Sequence, residues 1–271
     1  MAHSLFDLLG TPIDRREFIA NFGAVATVAS VACRSSSAAP VVPGAEHLTA
    51  RVSAPTEQAA TGLHPLGLGT STSGRDGVLF VPTSYVATQP LPLVVLLHGA
   101  GGSSANWFGS YAARAEAGKF ILLAPDSRFT TWDTSLGASF SLDVPFIDLA
   151  LRETFKKCAV DASKIALAGF SDGASYALSV GLANGDLFDR VIAYSPGYFV
   201  DSTRRGKPRL FFSHGTGDSV LPIDRASRTL VPRFRNEGYT VEYVEFAGGH
   251  EVPAAISDQA FSWLKTGWGL G

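Results

Sequence analysis

Ser171 stands in Gly169-Phe170-Ser171-Asp172-Gly173, between the apolar run Lys164-Ile165-Ala166-Leu167-Ala168 and a segment from Asp172 to Leu182 whose apolar residues recur at helical spacing. That placement gives a G-x-S-x-G pentapeptide mechanical meaning. The backbone must bend sharply and bring a helix close to a strand, and glycines two residues before and after the serine remove side chains that would collide. A serine on such a turn is a candidate nucleophile, and it needs a base, an acid that orients the base, and donors for the oxyanion. Asp218 and His250 supply the acid and the base. Each sits in a loop after an apolar run, in the chain order Ser171, Asp218, His250. A surface aspartate or a loop histidine is an ordinary reading of either residue alone, but it does not explain three such residues in order at three strand ends.

The oxyanion donors expected are the backbone N–H of Asp172 and one from His98-Gly99-Ala100-Gly101, that of Ala100. His98 and His214 each end an apolar run and precede a glycine, which suits structural hydrogen bonds better than a base role. Cys158 ends a helical pattern far from any turn motif and reads as a buried structural thiol.

The elements that must hold these groups are short, nearly continuous apolar runs separated by helical segments. They are Val78-Leu79-Phe80-Val81, Leu93-Val94-Val95-Leu96-Leu97, Phe120-Ile121-Leu122-Leu123, Ile165-Ala166-Leu167, Val191-Ile192-Ala193-Tyr194, Leu210-Phe211-Phe212 and the run from Val241 to Phe246. Continuous apolarity marks strands covered on both faces. The pattern therefore predicts an α/β fold, a mostly parallel sheet between two helix layers, with its ligand site beyond the carboxyl ends of the strands.

With 271 residues and 46% apolar content, the chain can bury one large core. A net charge of −2 with scattered basic residues leaves no electrostatic footprint for nucleic acid. No Cys/His cluster has metal-ligand spacing and no G-x-G-x-x-G opens a β-α-β unit, so neither a metal nor a dinucleotide cofactor is indicated.

Arg15-Arg16-Glu17-Phe18-Ile19 precedes an uncharged, mildly apolar run to Ala32, the layout of a twin-arginine export signal. The run is too short to span a bilayer. It ends at Ser30-Val31-Ala32-Cys33, which resembles a lipoprotein box with serine in place of the usual leucine-like residue. Lipidation of Cys33 and plain signal cleavage before it are both open. The first would leave a periplasmic or cell-surface lipoprotein attached to the membrane only through that lipid, the second a secreted protein. Residues 34–69, rich in Ser, Ala, Pro, Gly and Thr without periodicity, read as a flexible tether. The expected organisation is thus signal 1–33, tether 34–69 and catalytic domain 70–271.

His98-Gly99, the serine pentapeptide, His214-Gly215-Thr216-Gly217-Asp218-Ser219-Val220-Leu221-Pro222 and Gly249-His250 together resemble the serine esterases of the phospholipase/carboxylesterase group within the α/β-hydrolase superfamily. The chain is similar also to exported polyester depolymerases and feruloyl esterases. The resemblance implies hydrolysis of carboxylic esters, small or polymeric, through an acyl-enzyme on Ser171. The turn carries Asp172 where acyl-thioesterase relatives carry glutamine. Thioesterase or peptidase chemistry on the same fold stays an alternative, as does, more remotely, a noncatalytic binding lipoprotein. The intervals between strands leave no room for a large lid. The long irregular segment from Asp126 to Asp143 makes Trp132 the leading candidate for a substrate wall, with Trp107 and Tyr198 beside it; core packing is the ordinary reading of all three.

Overall fold

The computed structural model describes residues 44–69, 74–137 and 140–270. The twin-arginine run and the Cys33 box lie outside the described residues. Among the described residues eight strands form one sheet: β1 (Gly62–Pro65), β2 (Gly77–Val81), β3 (Leu91–Leu97), β4 (Ile121–Pro125), β5 (Val160–Phe170), β6 (Arg190–Tyr194), β7 (Arg209–Gly215) and β8 (Val241–Phe246). Their spatial order is β1-β2-β4-β3-β5-β6-β7-β8. The β1–β2 and β2–β4 pairs are antiparallel and every other pair is parallel, a sheet whose central strands β3, β4 and β6 are the unbroken apolar runs.

Alternation along the central strands divides the core into two layers. Leu93, Val95, Leu97, Ile121, Leu123, Ile165 and Leu167 face one way. That side is covered by α2 (Asp143–Lys157), α3 (Asp172–Ala183) and α4 (Ser227–Asn236). Val94, Leu96, Leu122, Ala124, Ala166 and Ala168 face the other way, under α1 (Ala105–Gly118) and α5 (Ala254–Gly267). Among the described residues no helix is long and apolar enough to cross a membrane.

The described part of the expected tether, residues 44–69, is not a free linker: from residue 44 onward the chain packs on the domain. Leu48 and Ala50 are buried in the same core as α3. The Leu48 N–H donates to Asn184 Oδ1 at 2.7 Å, and those of Thr49 and Ala50 both donate to Asp148 Oδ1 at 2.6 Å. Thr56 and Glu57 donate to the Lys156 carbonyl at 2.9 and 3.0 Å, and β1 then joins the sheet edge. Because side chains and a helix-end carbonyl satisfy this backbone, the segment has no repeating pattern for a sequence reading to find.

Candidate active site

The serine turn is as tight as its glycines imply. Ser171 holds φ 57° and ψ −121°, a conformation that costs a non-glycine residue about 1–3 kcal/mol and persists because its surroundings fix it. The Ser171 N–H donates to the Tyr194 carbonyl at 2.9 Å. A Cβ on Gly169 would lie 2.2 Å from the Gly173 carbonyl oxygen, and one on Gly173 would lie 2.3 Å from that of His98. Any larger residue at either position would push α3 off β5 and β3.

Beyond the strand ends, the loops after β7 and β8 are joined edge to edge. The Thr216 N–H reaches the Phe246 carbonyl at 2.8 Å and the Gly217 N–H reaches that of Gly248 at 2.9 Å. The loops are so close that a Cβ on Gly215 would meet the Gly249 oxygen at 2.2 Å. This joining carries Asp218 to His250. The His250 Nδ1–H donates to Asp218 Oδ2 at 2.6 Å; a carboxylate only accepts, so the imidazole is left with a bare Nε2 that accepts from the Ser171 hydroxyl at 2.7 Å. The Phe170 ring lies 4.8 Å from that of His250.

Asp218 is buried, and burial alone would raise its pKa. Hydrogen bonds from His214 and His250 and from the Leu221 N–H outweigh that effect and hold the carboxyl well below its ordinary range. His214 is fully buried. Its Nε2–H is shared between the Leu221 carbonyl at 2.8 Å and Asp218 Oδ2 at 3.2 Å, and its Nδ1 accepts from the Ser227 hydroxyl at 2.8 Å. It is therefore a structural partner of the acid, as its strand-end position suggests.

His98 is likewise structural. Its Nδ1–H donates to the Gly99 carbonyl at 2.8 Å, while Nε2 accepts from the Ser127 N–H at 3.0 Å and from Arg75 Nη2 at 3.1 Å. Burial, opposed by the Gly99 bond and aided by the Arg75 charge, pushes its pKa down to about 4, so the ring is neutral at physiological pH. Arg75, which no motif singles out, also binds the Gly102 and Ser127 carbonyls at 2.7 Å each. It ties the chain after residue 73 to the loop after β3.

In that loop the N–H groups of Gly101, Gly102, Ser103 and Ser104 donate to Thr130 O, Gly99 O, Asn106 Oδ1 and Asp126 Oδ1. Among the described residues the Ala100 N–H has no protein acceptor, and neither does that of Asp172 in the first turn of α3. The Asp172 side chain is a feature the sequence reading missed. Its Oδ2 accepts from the Thr131 hydroxyl and, at 3.2 Å, from the Trp132 N–H; its Oδ1 accepts from Ser135 and, at 2.9 Å, from the Tyr198 hydroxyl.

The aromatic wall is corrected in two of its three members. Trp132 is fully buried, stacked 5.0 Å from Tyr176, with its indole N–H satisfied by the His98 carbonyl at 2.7 Å. Trp107 is buried in the second core layer against Tyr111 and Phe170. Tyr198 alone is partly open. On the loop that holds Trp132 the exposed large apolar side chains are instead Phe129 (51% exposed), Leu136 (49%) and Leu142 (42%). Cys158 is buried and its thiol pKa is pushed up to about 12 by that burial. No group of His, Cys, Asp and Glu among the described residues has the geometry to hold a metal ion.

Comparison with known proteins places this arrangement. Residues 94–268 match the sequence pattern of the alpha/beta hydrolase family. The Aspergillus niger protein named "Probable feruloyl esterase C" is 29% identical over 175 residues, covering 61% of this chain and 60% of its own length. The Aspergillus flavus protein of the same name is 30% identical over 181 residues, covering 63% and 64%. The chain thus spans less than two thirds of either relative. A CE1 ferulic acid esterase from Anaeromyces mucronatus, solved with ferulic acid bound, superposes with a TM-score of 0.61 at 16% identity over 76% of this chain and 90% of its own, a likeness of fold.

Proposed function

The chain belongs to the alpha/beta hydrolase family, and from that premise we propose that it is a serine esterase in which Ser171, His250 and Asp218 form the catalytic triad. The observation that carries this reading is the unbroken line of hydrogen bonds from Asp218 through His250 to Ser171, ending on a serine held at positive φ beside two uncommitted amides. The Ser171 oxygen attacks the ester carbonyl as its proton passes to His250 Nε2. The resulting oxyanion faces the N–H groups of Ala100 and Asp172, each a donor of a kind worth about 2.7–4 kcal/mol in the transition state. Collapse of this intermediate breaks the carbonyl–alkoxide bond, and imidazolium returns its proton to the departing alcohol. A water activated by His250 then releases the acid. Asp218, held ionised, fixes the tautomer and balances the imidazolium charge.

The proposed acyl group is an aromatic, hydroxycinnamoyl-type acid. The two feruloyl esterase relatives support that class, as do the exposed Phe129 and Leu136 on the loop anchored to Asp172. Export by the twin-arginine segment, followed by either lipidation or cleavage at Cys33, belongs to the same proposal and rests on the sequence. Turnover of p-nitrophenyl acetate, p-nitrophenyl butyrate and methyl ferulate by the wild type and by Ser171→Ala tests the reading. Hydrolysis that falls at least several thousandfold in the variant is the expected result. No turnover by the wild type would favour a noncatalytic binding protein, and activity kept by Ser171→Ala would end the triad assignment.

A further inference from the structure

The Asp172 carboxylate is buried without a cationic partner at hydrogen-bond distance among the described residues. It is satisfied by four neutral donors, and two of them belong to consecutive residues of one segment. Thr131 and Trp132 both bind Oδ2. The same short segment is fastened on its other side to the loop after β3. The Thr130 carbonyl accepts the Gly101 N–H at 2.7 Å, and the Trp132 indole N–H donates to the His98 carbonyl at 2.7 Å. Residues 130–132 therefore bridge the first residue of α3 and the loop that carries Ala100. The bridge is stiff: Trp132 is immobilised between His98, 4.9 Å from its ring, and Tyr176, 5.0 Å away. The Asp172 backbone supplies one uncommitted amide and the bridged loop supplies the other.

From this geometry we infer that the Asp172 side chain is a positioning residue that sets the separation of the two oxyanion donors through Thr131 and Trp132. The inference rests on the serine hydrolase reading. It assigns work to a residue whose backbone alone would be expected to act. An acceptor at this place pulls residues 130–132 toward the serine turn, and residues 130–132 pull the loop at 98–101 with them. An oxyanion donor acts only at close range to the charge that develops, so a shift of a few tenths of an ångström weakens the transition state and leaves substrate binding largely untouched. The other carboxylate oxygen holds Ser135 and Tyr198, whose hydroxyls lie 2.7 Å apart, with Thr134 2.9 Å from Tyr198. Asp172 therefore ties two further residues near the site to the turn, but it is the Oδ2 arm that reaches the donor loop.

The test is a set of variants assayed on p-nitrophenyl butyrate for kcat and KM separately: Thr131→Val, Trp132→Phe, Asp172→Asn and Asp172→Ala, with the double variant Thr131→Val/Asp172→Ala. Each single substitution is expected to lower kcat about 10- to 100-fold with KM within about twofold, the signature of an interaction made mainly in the transition state. Asp172→Asn retains an acceptor oxygen for Thr131 and Trp132 and should recover part of what Asp172→Ala loses. The double variant should be no slower than Asp172→Ala alone, since both changes cut one connection. Should Asp172→Ala fail to fold, Thr131→Val and Trp132→Phe carry the test by themselves. Unchanged kcat in these two, a loss confined to KM, or losses that multiply in the double variant would overturn the inference while leaving Ser171 as nucleophile. Wild type without turnover and without fluorophosphonate labelling of Ser171 would overturn the underlying serine reading and the inference with it.

Discussion

Replacing His98 with glutamine should change how stability responds to acid. His98 is 1% exposed, and its neutral form is built into the fold, because Nε2 must stay bare to accept from Ser127 and Arg75. Its pKa falls from 6.5 in the unfolded chain to about 4 in the folded one. Between those values the unfolded chain binds a proton that the folded chain refuses. The contribution of His98 is therefore fully present above pH 6.5 and is lost as the pH falls toward 4. At about 1.4 kcal/mol per pKa unit, the loss by pH 4 amounts to about 3 kcal/mol. The wild-type curve alone does not isolate this, since Asp143, buried beside Asp133, is pushed up to about 7 and acts with opposite sign, destabilising as the pH rises from 3.8. The difference between wild type and His98→Gln removes that background. Glutamine at this position offers one acceptor and one donor but does not titrate. Urea unfolding at pH 7 and pH 4 should show the stability advantage of the wild type shrinking by about 3 kcal/mol, or reversing by as much. A difference that stays constant with pH would refute the buried neutral imidazole.

Asp218→Asn should keep the fold and lower kcat about 10⁴-fold on p-nitrophenyl butyrate, because the amide cannot hold the same tautomer of His250; a loss under tenfold would remove Asp218 from the triad. Leu48→Ala should cost about 2–5 kcal/mol as a lower urea midpoint at unchanged slope, since Leu48 is only 1% exposed. An unchanged midpoint would mean that residues 44–50 contribute nothing to the domain. Native Cys158, buried and with its pKa pushed up to about 12, should resist iodoacetamide at pH 8 for hours and react only on unfolding; rapid native labelling would contradict its burial.

The central strands were readable because residues covered on both faces are apolar without interruption, as in Leu93 to Leu97 and Val191 to Tyr194. Ser171, Asp218 and His250 were readable because each follows such a run and two are flanked by glycines that the close contacts require. β1 and the buried Leu48 were not, since that segment is fixed by Asp148, Asn184 and Lys156, acceptors nearly a hundred or more residues away in sequence. The roles of Trp132 and Asp172 were hidden for a related reason. An indole in a long irregular segment reads as a surface aromatic until its N–H finds a carbonyl, and the partners of a carboxylate on the serine turn show only when the loop opposite supplies three donors and Tyr198 a fourth. Arg75 has no motif at all, and its importance follows only from the loops it joins.

The nucleophile is tested most directly by incubating the native protein with a fluorophosphonate and locating the adduct by mass spectrometry. A single adduct on Ser171, abolished in Ser171→Ala and strongly slowed in His250→Ala, is the predicted result. An unmodified Ser171, or an adduct on another residue, would contradict it.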